Sequence, residues 1–258
     1  MPHNSIFFNE LQTPVKITAG ETLLPCYFRK VHYAVCLFKT SKETLMLKLA
    51  STGLKPALRF GHNYMVALGL VQYHDSDLGA YNEVILAIPS IPENIKPPLS
   101  NWMDLFGSLE NRKVGQHIIH IPVTSEFSKS AGKELWGYPK IITNVEHNFK
   151  RSSLQSIVFD PSNNELIMEC KGSLGFSIPS PALSLITYSF VEEELFRTAV
   201  KVRGSMKWRL QQDLILKVGS SNHPMANDLR VLGLDGKKPA IIMDTEKFQS
   251  VFYEGTFL

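Results

Sequence analysis

The sequence has no closely spaced cysteines. Its three, Cys26, Cys36 and Cys170, are scattered, and none forms a CxxC pair. An odd, dispersed set argues against a disulfide scaffold and for reduced thiols in a cytoplasmic protein. An excess of one charge is missing too: 27 Lys and Arg stand against 24 Asp and Glu, a net charge of +3. The densest basic stretches, residues 29–32 and 201–209, read as solvated faces, so no nucleic-acid partner is expected. No window approaches the roughly 18 unbroken apolar residues that a membrane-spanning helix needs. The N-terminal stretch lacks the basic segment and apolar core of a secretory signal. GxSxG, P-loop, GxGxxG and HExxH patterns are all absent, which removes the commonest serine-hydrolase, nucleotide and zinc-protease readings. With no internal repeat and no low-complexity linker, one domain over residues 1–258 is expected.

What is present is a series of short apolar runs cut by turn residues. YFRKVHYAVCLF (27–38) alternates, with Val31, Tyr33, Val35 and Leu37 on one face. YMVALGLVQY (64–73) is apolar on both faces. YNEVILAIP (81–89) places Tyr81, Glu83, Ile85 and Ala87 together. DPSNN (160–164) separates two further runs as a hairpin turn. So many short strands predict a mainly β fold, a barrel-like or cone-like antiparallel sheet with a few peripheral helices. The helical signals are a Thr40–Glu43 capping box, the 125–136 segment with Phe127, Ala131 and Leu135 on one stripe, and residues 227–233. Residues 91–102 are proline-rich and predict a surface loop. His117 and His120, three apart on a strand, are expected to face opposite ways and so not to share a metal. His74, Asp75 and Asp77 read as a polar turn.

One stretch stands out chemically. In GKELWGYPKIIT (132–143) a helical run ends at Gly-Tyr-Pro, and Lys140 follows at the start of an apolar strand. Pro139 stops the helix and fixes the backbone just before the lysine. Trp136, Tyr138, Ile141 and Ile142 surround it with apolar bulk. Such a mount suits a nucleophilic lysine, which must shed its proton before it can attack a carbonyl; a free lysine keeps that proton up to a pH of about 10.4. Desolvation or a neighbouring cation can supply the difference. On spacing alone, a strand-end lysine reaching solvent remains the simpler reading.

GKELWGYPKIIT resembles the signature of the acetoacetate decarboxylase family, in which a Gly-Arg-Glu-Leu stretch leads into Tyr-Pro-Lys and the lysine forms a Schiff base. LGAYNEVILAIP (78–89) resembles the family's Leu-Gly-x-Tyr-x-Glu segment, whose glutamate lies in the active site. WRLQQD (208–213) and NDLRVLGLDGKKPAIIMD (227–244) are more weakly similar. The resemblance implies a β-keto acid decarboxylase with Lys140 and Glu83 as catalytic residues, no cofactor, a small keto acid substrate and a homo-oligomer. It also exposes departures. The position after the nucleophile, a second lysine in the best-studied members, is Ile141. The family's active-site arginine position falls at Val31, and an upstream glutamate position at Gly69. Arg29 shares the parity of Val31 and is the expected partner for a substrate carboxylate. These departures keep two alternatives open: a Schiff-base aldolase or dehydratase acting on pyruvate-type acids, and a non-enzymatic barrel that binds a small ligand.

Overall fold

The computed structural model describes residues 7–258. Seven strands close a barrel: β1 (Cys26–Thr40), β2 (Asn63–Ser76), β3 (Tyr81–Pro92), β4 (Gly115–Val123), β5 (Leu185–Val191), β6 (Glu194–Arg203) and β7 (Ile241–Phe252). Each pairs with the next, and β7 pairs with both β6 and β1, which closes the ring. Every junction is antiparallel except β4–β5, which is parallel. A parallel junction needs a long crossover, and the chain between Val123 and Leu185 supplies it. That crossover carries the lysine segment.

The expected β-rich barrel is therefore present, with four helices among the described residues: α1 (Lys42–Lys48), α2 (Asn101–Asp104), α3 (Glu126–Trp136) and α4 (Pro224–Val231). A second, four-stranded antiparallel sheet runs Val145–Phe149, Ser153–Phe159, Leu166–Ser173, Asp213–Val218. It packs with α4 on the outside of the barrel. Because strand side chains alternate, the barrel strands feed two cores. On β2, Val66, Leu68 and Leu70 join Cys170, Leu214, Leu216 and Leu229 outside. Met65, Ala67, Val71 and Tyr73 point into the lumen. This is why 64–73 reads apolar on both faces. The lumen face of β1 is the expected Val31, Tyr33, Val35 and Leu37.

Several local expectations change. The α1 N-cap is Ser41, whose hydroxyl accepts from the Thr44 N–H; Thr40 instead donates to the Leu232 carbonyl. Residues 91 and 92 complete β3, and 101 and 102 open α2, so the proline-rich loop shrinks to 93–100. On β4 the pairing passes from His120 to Ile118, leaving Ile119 unpaired as a bulge. Ile118 and Ile121 consequently both face the lumen. His117 and His120 are then both outside rather than opposed, with separate partners: His117 edge-on to Phe190, His120 bonded to Asp228 at 2.9 Å. The 160–164 turn joins its two strands as expected, with Asn164 in the left-handed region. Among the described residues no helix is long and apolar enough to cross a membrane.

Candidate active site

The lysine is positioned by the way α3 stops. Ser125 caps its start by accepting from the Ser128 N–H. At the other end Gly137 adopts a left-handed φ of 62°, and a Cβ there would collide with Val191 and the Phe190 carbonyl. The Gly137 N–H donates to the Lys133 carbonyl, the αL closure of a helix end, and the Tyr138 N–H reaches back to the Gly132 carbonyl. Pro139 cannot continue the helix. The Lys140 N–H turns back to the Tyr138 carbonyl at 2.7 Å. Residues Lys140–Ile142 then lie parallel to β4, with Lys140 beside Ile121. Side chains pin this corner. The Trp136 indole donates to the Tyr253 carbonyl at 2.9 Å, Ser189 donates to the Trp136 carbonyl at 2.6 Å, and the Tyr138 and Thr187 hydroxyls share a 2.6 Å bond.

Lys140 is only 3% exposed and enters the lumen. Its Nζ donates to Glu83 Oε2 at 2.6 Å and to Ser128 Oγ at 2.9 Å. Glu83 is equally buried, at 3%. The two residues are far apart in sequence and meet because β4 lies between them: Glu83 pairs with Val123 on one edge of β4, Lys140 with Ile121 on the other. Gly132 makes room for the lysine, since a Cβ at that position would overlap Lys140 Cδ and Cε. Tyr73 donates to Glu83 Oε1 at 3.2 Å and stacks on Tyr81 at 4.3 Å between centroids. The Tyr81 ring lies 5.4 Å from Lys140 Nζ. Burial, then the Glu83 charge, pushes the Tyr73 and Tyr81 phenols well above their usual range, so both remain O–H donors. Burial and the Asp77 charge likewise push the Cys26 thiol up, which removes it as a competing nucleophile.

Lys140 and Glu83 thus come together; Arg29 does not join them. Between Phe28 and Val31 the β1–β2 register shifts, with an extra residue in a bulge. Cys26, Phe28 and Val31 all face inward, and the parity that linked Arg29 to Val31 is broken. The Arg29 guanidinium, 35% exposed, is bound to Asp77 at 2.5 Å and approaches Asp75 at 3.7 Å. It is therefore corrected from a substrate-binding candidate to the partner of Asp75 on β2 and of Asp77 in the turn that follows; His74 and Asp75, expected in a turn, belong to the strand. Val31 is fully buried in the lumen, and Gly69 sits there between Ile85 and Tyr33. Ser128, Gly132, Tyr73 and Tyr81 were missed as site residues. The small residues Ser128, Ala131 and Gly132 along α3 were the available signal, since only a side of small residues lets another chain approach. A surface concavity of about 570 Å³ lined by Ile142, Thr143, Asn144 and residues 160–164 includes neither Lys140 nor Glu83. The buried Lys140–Glu83 pair lies apart from the lining of that cavity.

The chain matches the model of the acetoacetate decarboxylase (ADC) family over residues 12–182. Its fold is similar to acetoacetate decarboxylase from Legionella pneumophila subsp. pneumophila str. Philadelphia 1, with a TM-score of 0.64 and 14% identity, covering 99% of this chain and 96% of that one. It is also similar to an acetoacetate decarboxylase-like enzyme from Sphingomonas wittichii RW1, with a TM-score of 0.62, 14% identity and 90% and 92% coverage. The enduracididine biosynthesis enzyme MppR, complexed with pyruvate, gives a TM-score of 0.59 at 10% identity, with 90% and 89% coverage. No curated protein matches in sequence.

Proposed function

The chain belongs to the acetoacetate decarboxylase family, and from that premise we propose that it is a Schiff-base lyase with Lys140 as nucleophile and Glu83 as its proton partner. The observation that carries the reading is the dry Lys140 Nζ held between Glu83 and Ser128. In water an ammonium and a carboxylate both stay charged. Excluded from water, the charged pair loses its solvation, and a short hydrogen bond gives the proton a path from Nζ to Oε2. The neutral amine attacks a carbonyl carbon and gives a carbinolamine. Glu83 returns its proton to the departing hydroxyl, water leaves, and an iminium stands opposite the restored carboxylate. Ser128 fixes the direction of the Nζ lone pair. The iminium draws electrons from the adjacent carbon–carbon bond and stabilises an enamine, which is why no further cofactor is invoked.

Two outcomes follow for the iminium and the enamine derived from it. A β-keto acid would lose carbon dioxide, acetoacetate giving acetone. An aldol-type substrate would break or form a carbon–carbon bond, or lose water. The second reading is supported by one feature: among the described residues no buried cation other than Lys140 faces the lumen to receive a carboxylate. The test is borohydride reduction with a ketone, followed by peptide mapping. Reduced adduct on Lys140, absent from Lys140→Ala, is the expected result. Labelling that is undiminished in the variant would remove Lys140 from the mechanism.

A further inference from the structure

The buried charges and the strand register around Lys140 bear on the kind of carbonyl compound that could condense with it. Three cations are buried among the described residues: Arg112, Lys140 and Arg209. Arg112 donates to the Ser184 and Gly107 carbonyls, and Arg209 is bound to Asp244 on the outer face of β7. Lys39 shares the lumen parity of β1, but it stands over the Phe60 ring at the opposite rim. That rim lies six residues, or about 20 Å, from the Tyr33 level that pairs across the sheet with Glu83. Among the described residues, the charged side chains in direct contact at the reacting nitrogen are therefore Lys140 and Glu83, while the Arg29–Asp77 pair lies beyond Cys26 and is already matched within itself. When a neutral carbonyl condenses, the iminium takes the place of the ammonium opposite Glu83 and the pair stays balanced. A substrate carboxylate would add an unpaired negative charge to the same dry space.

Register supplies the second observation. Residues directly paired across strands share a face, and one such row runs Ile178, Trp208, Met243, Val35, Gly69, Ile85. Its inner end is two residues from Glu83 along β3. Its outer end is open, with Ile178 41% and Trp208 40% exposed. Five strand spacings make the row about 24 Å long. It carries no ionisable side chain, and Val35, Ile85 and Met243 remain half-buried although they belong to the lumen core. The row thus runs from the exposed Ile178 and Trp208 to Ile85, on the same face of β3 as Glu83.

We propose that the compound condensing with Lys140 is a neutral, carboxylate-free ketone or aldehyde with an extended alkyl or aryl portion, which lies along this row. The inference rests on the Schiff-base reading. It points to aldol, retro-aldol or dehydration chemistry in place of decarboxylation. The amine nitrogen bonds to the carbonyl carbon, the carbonyl oxygen leaves as water with the proton relayed by Glu83, and no further reagent is required.

The test is borohydride trapping on the intact protein with nonan-2-one, acetone, acetoacetate and pyruvate, scored as the concentration that half-labels Lys140. The expected result is at least tenfold lower for nonan-2-one than for acetoacetate or pyruvate, with acetone between. Trp208→Ala should shrink the advantage of nonan-2-one over acetone severalfold; an unaltered ratio would overturn the placement of the apolar portion. Equal or better labelling by acetoacetate or pyruvate would overturn the neutral-substrate inference and leave the Schiff-base reading standing. Labelling of Lys140 by none of the four would overturn both.

Discussion

Among the described residues the barrel wall carries two buried ion pairs, one on each face, and they differ in how they are held. Outside, Arg209 grips Asp244 with two bonds, Nε to Oδ1 at 2.5 Å and Nη2 to Oδ2 at 2.9 Å. The Asp244 bonds raise the arginine further above its already high range, so its proton is not available. Inside, Lys140 meets Glu83 through a single bond, and its other contact is a neutral hydroxyl. A forked, saturated pair fixes a strand. The lysine is held by a single short bond to a carboxylate with apolar lumen beyond it, the arrangement on which the proposed Schiff-base chemistry rests. The identity of the cation, more than its burial, separates structure from chemistry.

The comparison can be broken at either pair. Lys140→Ala should lower any carbonyl turnover by about 10⁴-fold or more, because the nucleophile itself is gone. Arg209→Met should leave turnover within a few-fold of the parent while lowering the unfolding midpoint; steady-state kinetics with thermal melts separates the two. Next in size are the stability effects. Removing one partner of a buried pair strands the other and costs about 3–5 kcal/mol. Glu83→Leu should show that loss in urea unfolding. The double variant Lys140→Met/Glu83→Leu should recover most of it, since apolar replacement of a whole buried pair is often neutral. Failure of the double variant to recover would mean that the lysine and glutamate are not a coupled pair.

Gly132→Ala sharpens the same contrast from the side of packing. The added methyl overlaps the lysine stem and pushes Nζ from Glu83. A displacement near 1 Å costs about 10²-fold in rate, whereas Ala gains about 1 kcal/mol of helix propensity over Gly. Turnover should fall while the melting temperature holds. The smallest effect is in acid. Burial lowers His117 and His147 to about 4 from a usual value of 6.5. Between pH 6.5 and 4 the unfolded chain binds protons that the folded chain refuses, so stability falls as pH drops through that window. His147→Gln should flatten that acid limb in melts taken from pH 7 to 4.

The strands were legible because the lumen and the outer core both demand alternation. Val31 to Leu37 and Tyr81 to Ala87 could be assigned to one face from sequence. Lys140 and Glu83 were legible as a resemblance, and Pro139 and Gly137 explain physically why a lysine can stand at that corner. What failed were the places where one extra residue changes the count. The bulge between Phe28 and Val31 turns Arg29 outward, and the bulge at Ile119 puts His117 and His120 on one face. No periodicity rule anticipates a bulge. Ser128 and Gly132 were hidden for another reason: their role is to be small and close to a residue that arrives from the next segment.

The most direct test of the central claim is wash-out of ¹⁸O from labelled acetone into water, because each cycle of iminium formation and hydrolysis exchanges the carbonyl oxygen. The account predicts exchange by the parent protein, a slowing of about 10²-fold or more in Glu83→Gln as the proton relay is lost, and only the solvent rate in Lys140→Ala. Exchange that persists in Lys140→Ala would contradict it.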